Sequence, residues 1–279
     1  MGELEGRTVF MSGGSRGIGL AIAERLAGEG ANIAMIAKTS EPHPKLPGTI
    51  HTAAEAIEAA GGKALPIVGD IRDEGRVADA VEETVKEFGG IDICINNASA
   101  INLSPIGGLP VKQYDLMADI DTRGTFVVTQ ACLPHLRNSD HAQVLTLSPP
   151  LSTDPKWLAG FAPYAVAKFG MTMLTLGLAQ DEKENGVGAN CLWPRTIIAT
   201  AAVQNLLGGD EAMARSRTPE IVADAAREIL VRDPAECTGN AFIDDEALGQ
   251  AGITDLSKYS EPGAELQLDI FVDGWPDEG

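Results

Sequence analysis

The stretch from Arg7 to Ala27 constrains the fold more than any other. Arg7–Met11 is a short apolar run rich in β-formers. Ser12-Gly13-Gly14-Ser15-Arg16-Gly17-Ile18-Gly19 follows, and Leu20–Ala27 has helical spacing with Glu24 and Arg25 on its polar side. Strand, glycine turn and helix in that order are the context a dinucleotide-binding fingerprint requires. Gly13 allows a tight turn, Gly17 lets backbone approach a pyrophosphate, and Gly19 lets the helix pack close to the strand. Gly14, Ser15 and Ile18 belong to the same candidate cofactor-binding turn. The helix N-terminus then faces the anion with free N–H groups. Three residues separate Gly13 from Gly17, where the commoner fingerprint has one.

The remainder alternates in the same way. Strands are expected at Asn32–Ala37, Ala64–Val68, Ile91–Ile95, Gln143–Leu147, Gly188–Trp193 and Cys237–Ile243. Helices are expected at Thr52–Ala60, Glu74–Phe88, Val111–Leu136 with a break near Asp121–Gly124, 163–181 and Pro219–Val231. Such alternation predicts an α/β fold: a single Rossmann-type, doubly wound parallel sheet with helices on both faces. Residues 1–245 would form the dinucleotide-binding and catalytic domain. Residues 246–279 would be an acidic C-terminal extension. Its last part, 261–279, has six acidic residues and no Lys or Arg, yet carries Leu266, Leu268, Ile270, Phe271, Val272 and Trp275. That apolar content predicts docking onto the body or onto a neighbouring subunit. Pro42, Pro44 and Pro47 exclude a helix over Glu41–Ile50, and Thr196–Gly209 reads as a mobile segment.

The end of the second strand bears on cofactor choice. NAD-binding domains place a carboxylate there for the adenine-ribose hydroxyls. This chain has Lys38 instead, and Arg16 in the glycine turn would reach the same place from the other side. A ribose phosphate would be attracted by both, so NADP(H) is expected over NAD(H). Lys38 as a solvated strand-end charge is the alternative. Asp70, closing the third strand, would bind an adenine amino group or cap the next helix.

The net charge of −19 opposes nonspecific binding to nucleic acid or an anionic membrane. No apolar stretch reaches membrane-spanning length, and no charged-then-apolar leader precedes the first strand. Cys94, Cys132, Cys191 and Cys237 are widely spaced, so buried free thiols are expected and no disulfide framework. His43, His51, His135 and His141 have no metal-ligand spacing, so no metal site is expected. A soluble, cytoplasmic setting follows as the expectation.

Chemistry enters with Phe161–Asp181. Pro163 suits a first helical turn, and Tyr164 and Lys168, four apart, share one helix face. An ammonium beside a phenol stabilises phenolate and lowers its pKa toward neutrality, which makes a usable general acid/base. A solvated Tyr/Lys edge is the alternative. Five features stand in order: the glycine turn 13–19, Asn96-Asn97-Ala98-Ser99, the Asp121 region, Ser148, and Tyr164-x-x-x-Lys168. Together they resemble the short-chain dehydrogenase/reductase family over roughly residues 5–245. Ala37-Lys38-Thr39 with Pro42-His43-Pro44-Lys45-Leu46, Leu147-Ser148-Pro149-Pro150-Leu151 and Leu192-Trp193-Pro194 are most similar to its hydroxysteroid dehydrogenase-like type two subfamily.

The resemblance implies an oxidoreductase acting on a small-molecule alcohol/carbonyl pair, lipid-like by subfamily. It implies Tyr164 as general acid/base, Ser148 orienting the substrate oxygen, and Lys168 binding the nicotinamide ribose and lowering the Tyr164 pKa. Arg16, Lys38 and Asp70 would be cofactor contacts, and Asn97 would support the pocket. It also implies a homodimer or homotetramer built on the helices at about 111–136 and 163–181. Subfamily members often carry a further sterol-carrier-type domain, which this sequence lacks up to Gly279, so no lipid transfer is expected of it.

Three departures matter. Asp121 stands where the family usually has an asparagine that holds a relay water, and its charge would raise the tyrosine pKa. Ser148 and Tyr164 are sixteen apart, a few more than usual, so loop 149–163 carries an insertion. Its Trp157 and Phe161 would contact an apolar substrate or pack on the loop. Arg195 replaces the usual glycine after Pro194, and would face a substrate anion or point to solvent. A nucleotide-binding scaffold with little turnover is the competing reading.

Overall fold

The computed structural model describes residues 2–42, 47–206 and 208–275. The predicted alternation is present. The elements are β1 (Thr8–Ser12), α1 (Gly17–Ala27), β2 (Asn32–Ala37), α2 (Ile50–Ala59), β3 (Lys63–Val68), α3 (Glu74–Phe88), β4 (Ile93–Asn96), α4 (Val111–Ile120), α5 (Thr122–Leu136), β5 (Gln143–Thr146), α6 (Pro155–Leu158), α7 (Ala162–Asp181), β6 (Gly188–Trp193), α8 (Ala201–Leu206), α9 (Gly209–Ala214), α10 (Glu220–Leu230), β7 (Ala241–Ile243) and α11 (Asp244–Gln250). The strands form one sheet in the order β3-β2-β1-β4-β5-β6-β7, every neighbouring pair parallel.

Both faces of the sheet are covered, so its strands read as continuous apolar runs. Along β1, Val9 and Met11 enter one core with Ile22 and Leu26 of α1, Ile57 of α2 and Ile229 of α10. Phe10 enters the opposite core with Val77 of α3 and Val128 and Cys132 of α5. This alternation fixes register, because a one-residue slip would exchange the two cores. The strand order reverses between β1 and β4, and there the loops leaving the strands diverge to open a crevice.

Local sequence differs from expectation in a few places. α2 starts two residues early because Thr49 and Thr52 form a reciprocal capping box. The last strand is shorter than expected, since Gly239 turns with φ 75° before Ala241. The segment taken as mobile contains α8. Within 41–50, residues 43–46 (His43, Pro44, Lys45 and Leu46) lie outside the described residues, as do 276–279 of the tail. The break near Asp121 is real: α4 ends at Ile120 and α5 begins at Thr122. The four cysteines are free and buried. Among the described residues no His/Cys/Asp/Glu cluster could hold a metal ion, and no helix is long and apolar enough to cross a membrane.

The tail docks onto the body of its own chain. Thr196 and Leu268 form an antiparallel bridge, the Asp269 N–H donates to the Arg195 carbonyl at 2.8 Å, and the Ile197 N–H donates to that of Gln267 at 3.1 Å. Arg195 itself corrects both sequence readings. It neither faces a substrate anion nor points to solvent. Its Nε lies 2.6 Å from the Asp245 carboxylate, with both side chains 5% exposed, and its guanidinium also meets Glu246 and the Gly274 carbonyl. The charge is consumed in fastening α11 and the tail.

Removing one partner of a buried ion pair strands the other. Arg195→Ala is expected to cost about 3 kcal/mol, the low end for such a deletion, because Arg217 still faces Asp245 at 3.5 Å. Urea unfolding monitored by circular dichroism measures this; a loss below about 1 kcal/mol would show the pair to be no more than a surface bridge.

Candidate active site

The crevice at the strand ends is a cleft of about 800 Å³. Gly13, Ser15, Arg16, Gly17, Ile18 and Gly19 line it from the turn between β1 and α1. Lys38, Asp70 and Asn97 line it from the ends of β2, β3 and β4. Gly14 does not: it is buried, and a Cβ there would lie 3.0 Å from Met11 Sδ. Gly13 has φ 76° and Gly17 φ 55°, backbone that favours glycine. A Cβ on Gly19 would come within 2.4 Å of both Asn97 Nδ2 and the Gly13 carbonyl. The same Asn97 amide donates to that carbonyl at 2.8 Å.

The residues fit a dinucleotide phosphate. α1 has no side-chain cap on its N-terminus and no acidic residue in its first turn, so its leading N–H groups are available to an anion. Arg16 reaches the Gly48 carbonyl at a long 3.5 Å, and its buried Nε has no hydrogen-bond partner among the described residues. Burial lowers its pKa, as expected for a desolvated cation. Lys38, its side chain 55% exposed, lies 3.6 Å from Asp70. Asp70 does not cap α3, a role filled by Asp73. Its carboxyl is held down to about 2, chiefly by hydrogen bonds from the Arg72 guanidinium. The sequence reading missed Thr200 and α8, which form the far wall of the cleft. The helix-favouring run Ala201–Leu206 was the available signal.

Ser148, Tyr164 and Lys168 are buried and do not line the cleft. Ser148 is 0%, Tyr164 4% and Lys168 3% exposed. Ser148 follows β5, and its hydroxyl lies 2.9 Å from that of Thr172 in α7. The Thr172 proton is directed to the Pro149 carbonyl at 2.7 Å, so Ser148 is placed to donate to Thr172. Lys168 Nζ donates to the Leu147 carbonyl at 2.9 Å and sits 5.3 Å above the Trp193 ring. Asp121, at the α4–α5 break, is 0% exposed; it accepts from the Ala100 N–H at 2.7 Å and from Ser99 at 3.3 Å.

The expected effect of Lys168 on Tyr164 is not what this arrangement produces. The tyrosine pKa stands well above its ordinary value, first because of burial, then because Asp121 and Asp269 repel a phenolate. Lys168 is shifted down by burial, with Asp121 and Asp269 opposing. Shared helix face was legible from spacing, but depth decides the sign. The direction expected of Asp121 is present in both groups. Asp269 was not foreseen as part of the site. Burial pushes its carboxyl up to about 7, against a hydrogen bond from the Ile270 N–H, with Asp244 adding to the rise and Lys168 countering it. Asp244, buried beneath, is likewise pushed up to about 7, chiefly by desolvation.

Trp157 and Phe161 pack neither on their own loop alone nor on open space. Both meet Phe271 of the tail, at 6.1 and 5.8 Å between ring centroids.

The chain matches the short chain dehydrogenase family over residues 7–209. It is 59% identical to a short chain dehydrogenase of Mycobacterium thermoresistibile of known structure, with a TM-score of 0.92 and coverage of 97% of this chain and 96% of that one. It is 50% identical to hydroxysteroid dehydrogenase-like protein 2 of Danio rerio over 99% of this chain, and spans 66% of the length of that relative. A blue fluorescent protein from a metagenomic library, solved in complex with NADPH, is 27% identical with a TM-score of 0.74, covering 86% of this chain and 97% of that one.

Asp269 makes stability depend on pH with a definite sign. Its carboxyl ionises near 4 when unfolded and near 7 when folded. Between those values the folded state holds more protons, so stability falls as pH rises and levels off above about 7. Asp244 acts in the same direction. Asp269→Asn is therefore expected to flatten part of the decline and to melt higher than the parent at pH 8. Thermal melts across pH 4–8 measure it; parallel curves would contradict the assignment.

Proposed function

The chain belongs to the short-chain dehydrogenase family, and from that premise we propose that it is an NADP(H)-dependent oxidoreductase interconverting an alcohol and a carbonyl on an apolar small molecule. The observation that carries the reading is continuity. One cleft runs from a bare α1 N-terminus, flanked by Arg16 and Lys38, past Asn97 to Ser99, which bonds Asp121 beside Lys168. Arg16 and Lys38 would hold a ribose phosphate, α1 the pyrophosphate, and Lys168 the nicotinamide ribose. A bound NADPH would supply hydride to the carbonyl carbon, and NADP⁺ would take it back in the reverse direction.

The rest is done by the chain's own residues. In reduction the Tyr164 hydroxyl gives its proton to the carbonyl oxygen. The high pKa of the buried phenol keeps that proton in place until the oxygen becomes basic. Ser148, released from Thr172, donates to the same oxygen and orients it. Asp121 with Ser99 offers a route for proton return toward the cleft. Burial excludes water and strengthens each of these interactions.

A homodimer or homotetramer fits the exposed apolar side chains on α5 and α7: Phe126, Val166 and Met173 are 48%, 60% and 64% exposed. The buried free thiols fit a reducing, cytoplasmic setting.

Two variants test the reading. Tyr164→Phe is expected to lose about 10²-fold or more in kcat while NADPH affinity, followed by nicotinamide fluorescence, stays within about twofold. Turnover surviving this change would remove Tyr164 from its role, and a parent protein that binds NADPH but turns over no carbonyl would favour the scaffold. Lys38→Ala is expected to weaken NADPH about tenfold, near 1.4 kcal/mol, and leave NADH unchanged; an equal loss for both would show that no phosphate sits there.

A further inference from the structure

Phe271 occupies the place a substrate would need. Its ring stacks on Tyr164, 6.2 Å between centroids and 24° between planes. Trp157, Phe161, Phe169 and Trp193 enclose it at 4.9–6.1 Å. Phe271 is itself only 4% exposed, and with the ring in place Tyr164 is equally covered. A general acid that must touch a carbonyl oxygen is therefore shut in by its own chain.

The segment is set in this position against its backbone preference. Phe271 has φ 69°, the only non-glycine positive φ among the described residues. A bulky side chain adopts that region rarely, and such outliers persist where surrounding contacts impose them. Besides the Thr196–Leu268 bridge and the bonds joining Arg195 to Asp269 and Gly274, part of the hold lies at the rim. Trp193 Nε1 donates to the Ile270 carbonyl at 2.9 Å, and Trp157 Nε1 donates to Asp273 at 3.0 Å. Lys156 pairs with Asp273 at 2.6 Å, the two side chains 52% and 65% exposed. An exposed pair of that kind holds weakly.

Charge narrows what would replace the ring. Lys168 is the cation beside Tyr164, and Asp121 and Asp269 already face it. Arg195 is committed to Asp245 and Glu246. From Glu261 onward the sequence offers no Lys or Arg. Asp121 stays with Lys168 when the segment leaves, so the charge there is already answered, and an uncharged ring would exchange with the phenyl group like for like.

We propose that Phe271 is an intrachain occupant of the substrate chamber, and that residues 268–274 swing out in turnover. The chamber then accepts an uncharged carbonyl compound bearing an aryl or compact alkyl group of about phenyl size. This rests on Tyr164 being the acid/base. Because the chamber is free only in the open fraction of molecules, apparent affinity is reduced by that fraction.

The test uses the full chain and reads binding of 4-phenyl-2-butanone by calorimetry and by the fluorescence of Trp157 and Trp193. Phe271→Ala is expected to bind the ketone at least tenfold tighter than the parent, and the same ketone carrying a ring carboxylate at least tenfold more weakly than the neutral one. Asp273→Ala, at an exposed side chain, is expected to give a smaller gain and carries the test should Phe271→Ala melt early. In the parent, saturating ketone is expected to speed hydrogen exchange at the Asp269 amide, which bonds the Arg195 carbonyl. Equal or weaker ketone binding by both variants, or slowed exchange, would make Phe271 a wall of the site and overturn the proposal. Preference for the carboxylated ketone would overturn the substrate class. Since these readouts need no turnover, an active Tyr164→Phe variant would sink the acid/base role and leave the displaced ring standing.

Discussion

The short bond from the Asn97 amide to the Gly13 carbonyl, 2.8 Å, ties the two loops that part at the reversal of the sheet. The first turn of α1 passes directly behind it, at a distance that leaves no room for a Cβ on Gly19. Only that close passage brings the helix start against the strand ends, and only an uncapped start leaves N–H groups facing the cleft. Arg16, Lys38 and Asp70 are then arranged around a point already fixed by backbone. A larger residue at 19 would displace the helix, and the cationic side chains would lose the geometry they share.

What the sequence made legible followed from local rules. The glycine turn, the break at Asp121 and the alternation that covers both faces of the sheet each depend on neighbours within a few residues. Arg195 and Phe271 were not readable in this way. Arg195 meets Asp245, fifty positions on, and Phe271 meets rings drawn from loop 149–163, α7 and β6. Such pairings exist only after the tail has crossed the β6 end. The apolar content of the acidic tail predicted docking but could not say which side chain would face the tyrosine. Tyr164 and Lys168 show the same limit: their spacing placed them on one face, and only the depth of that face set the direction of their shifts.

The inner site is austere in charge. In a chain of net −19, one ammonium sits buried with Asp121 and Asp269 acting on it, and Asp269, together with Asp244 next to it, is held toward the neutral form near pH 7. Protonated carboxyls can donate as well as accept hydrogen bonds, so the network around Lys168 has donors that a fully ionised one would lack. The same burial that holds the phenol proton also suppresses these charges, so proton inventory and tail docking draw on one cause.

The two ends of the chain differ mechanically. The N-terminal residues lie at the foot of the sheet, where the Gly6 N–H bonds the Gly30 carbonyl, across the molecule from the cleft. The last described residue, Trp275, stacks against Arg217 only four positions after the ring that covers Tyr164. A strain applied at Trp275 reaches the ring over Tyr164 along a few bonds. Strain at Trp275 is therefore felt at Tyr164, while strain at Gly6 must first cross the sheet.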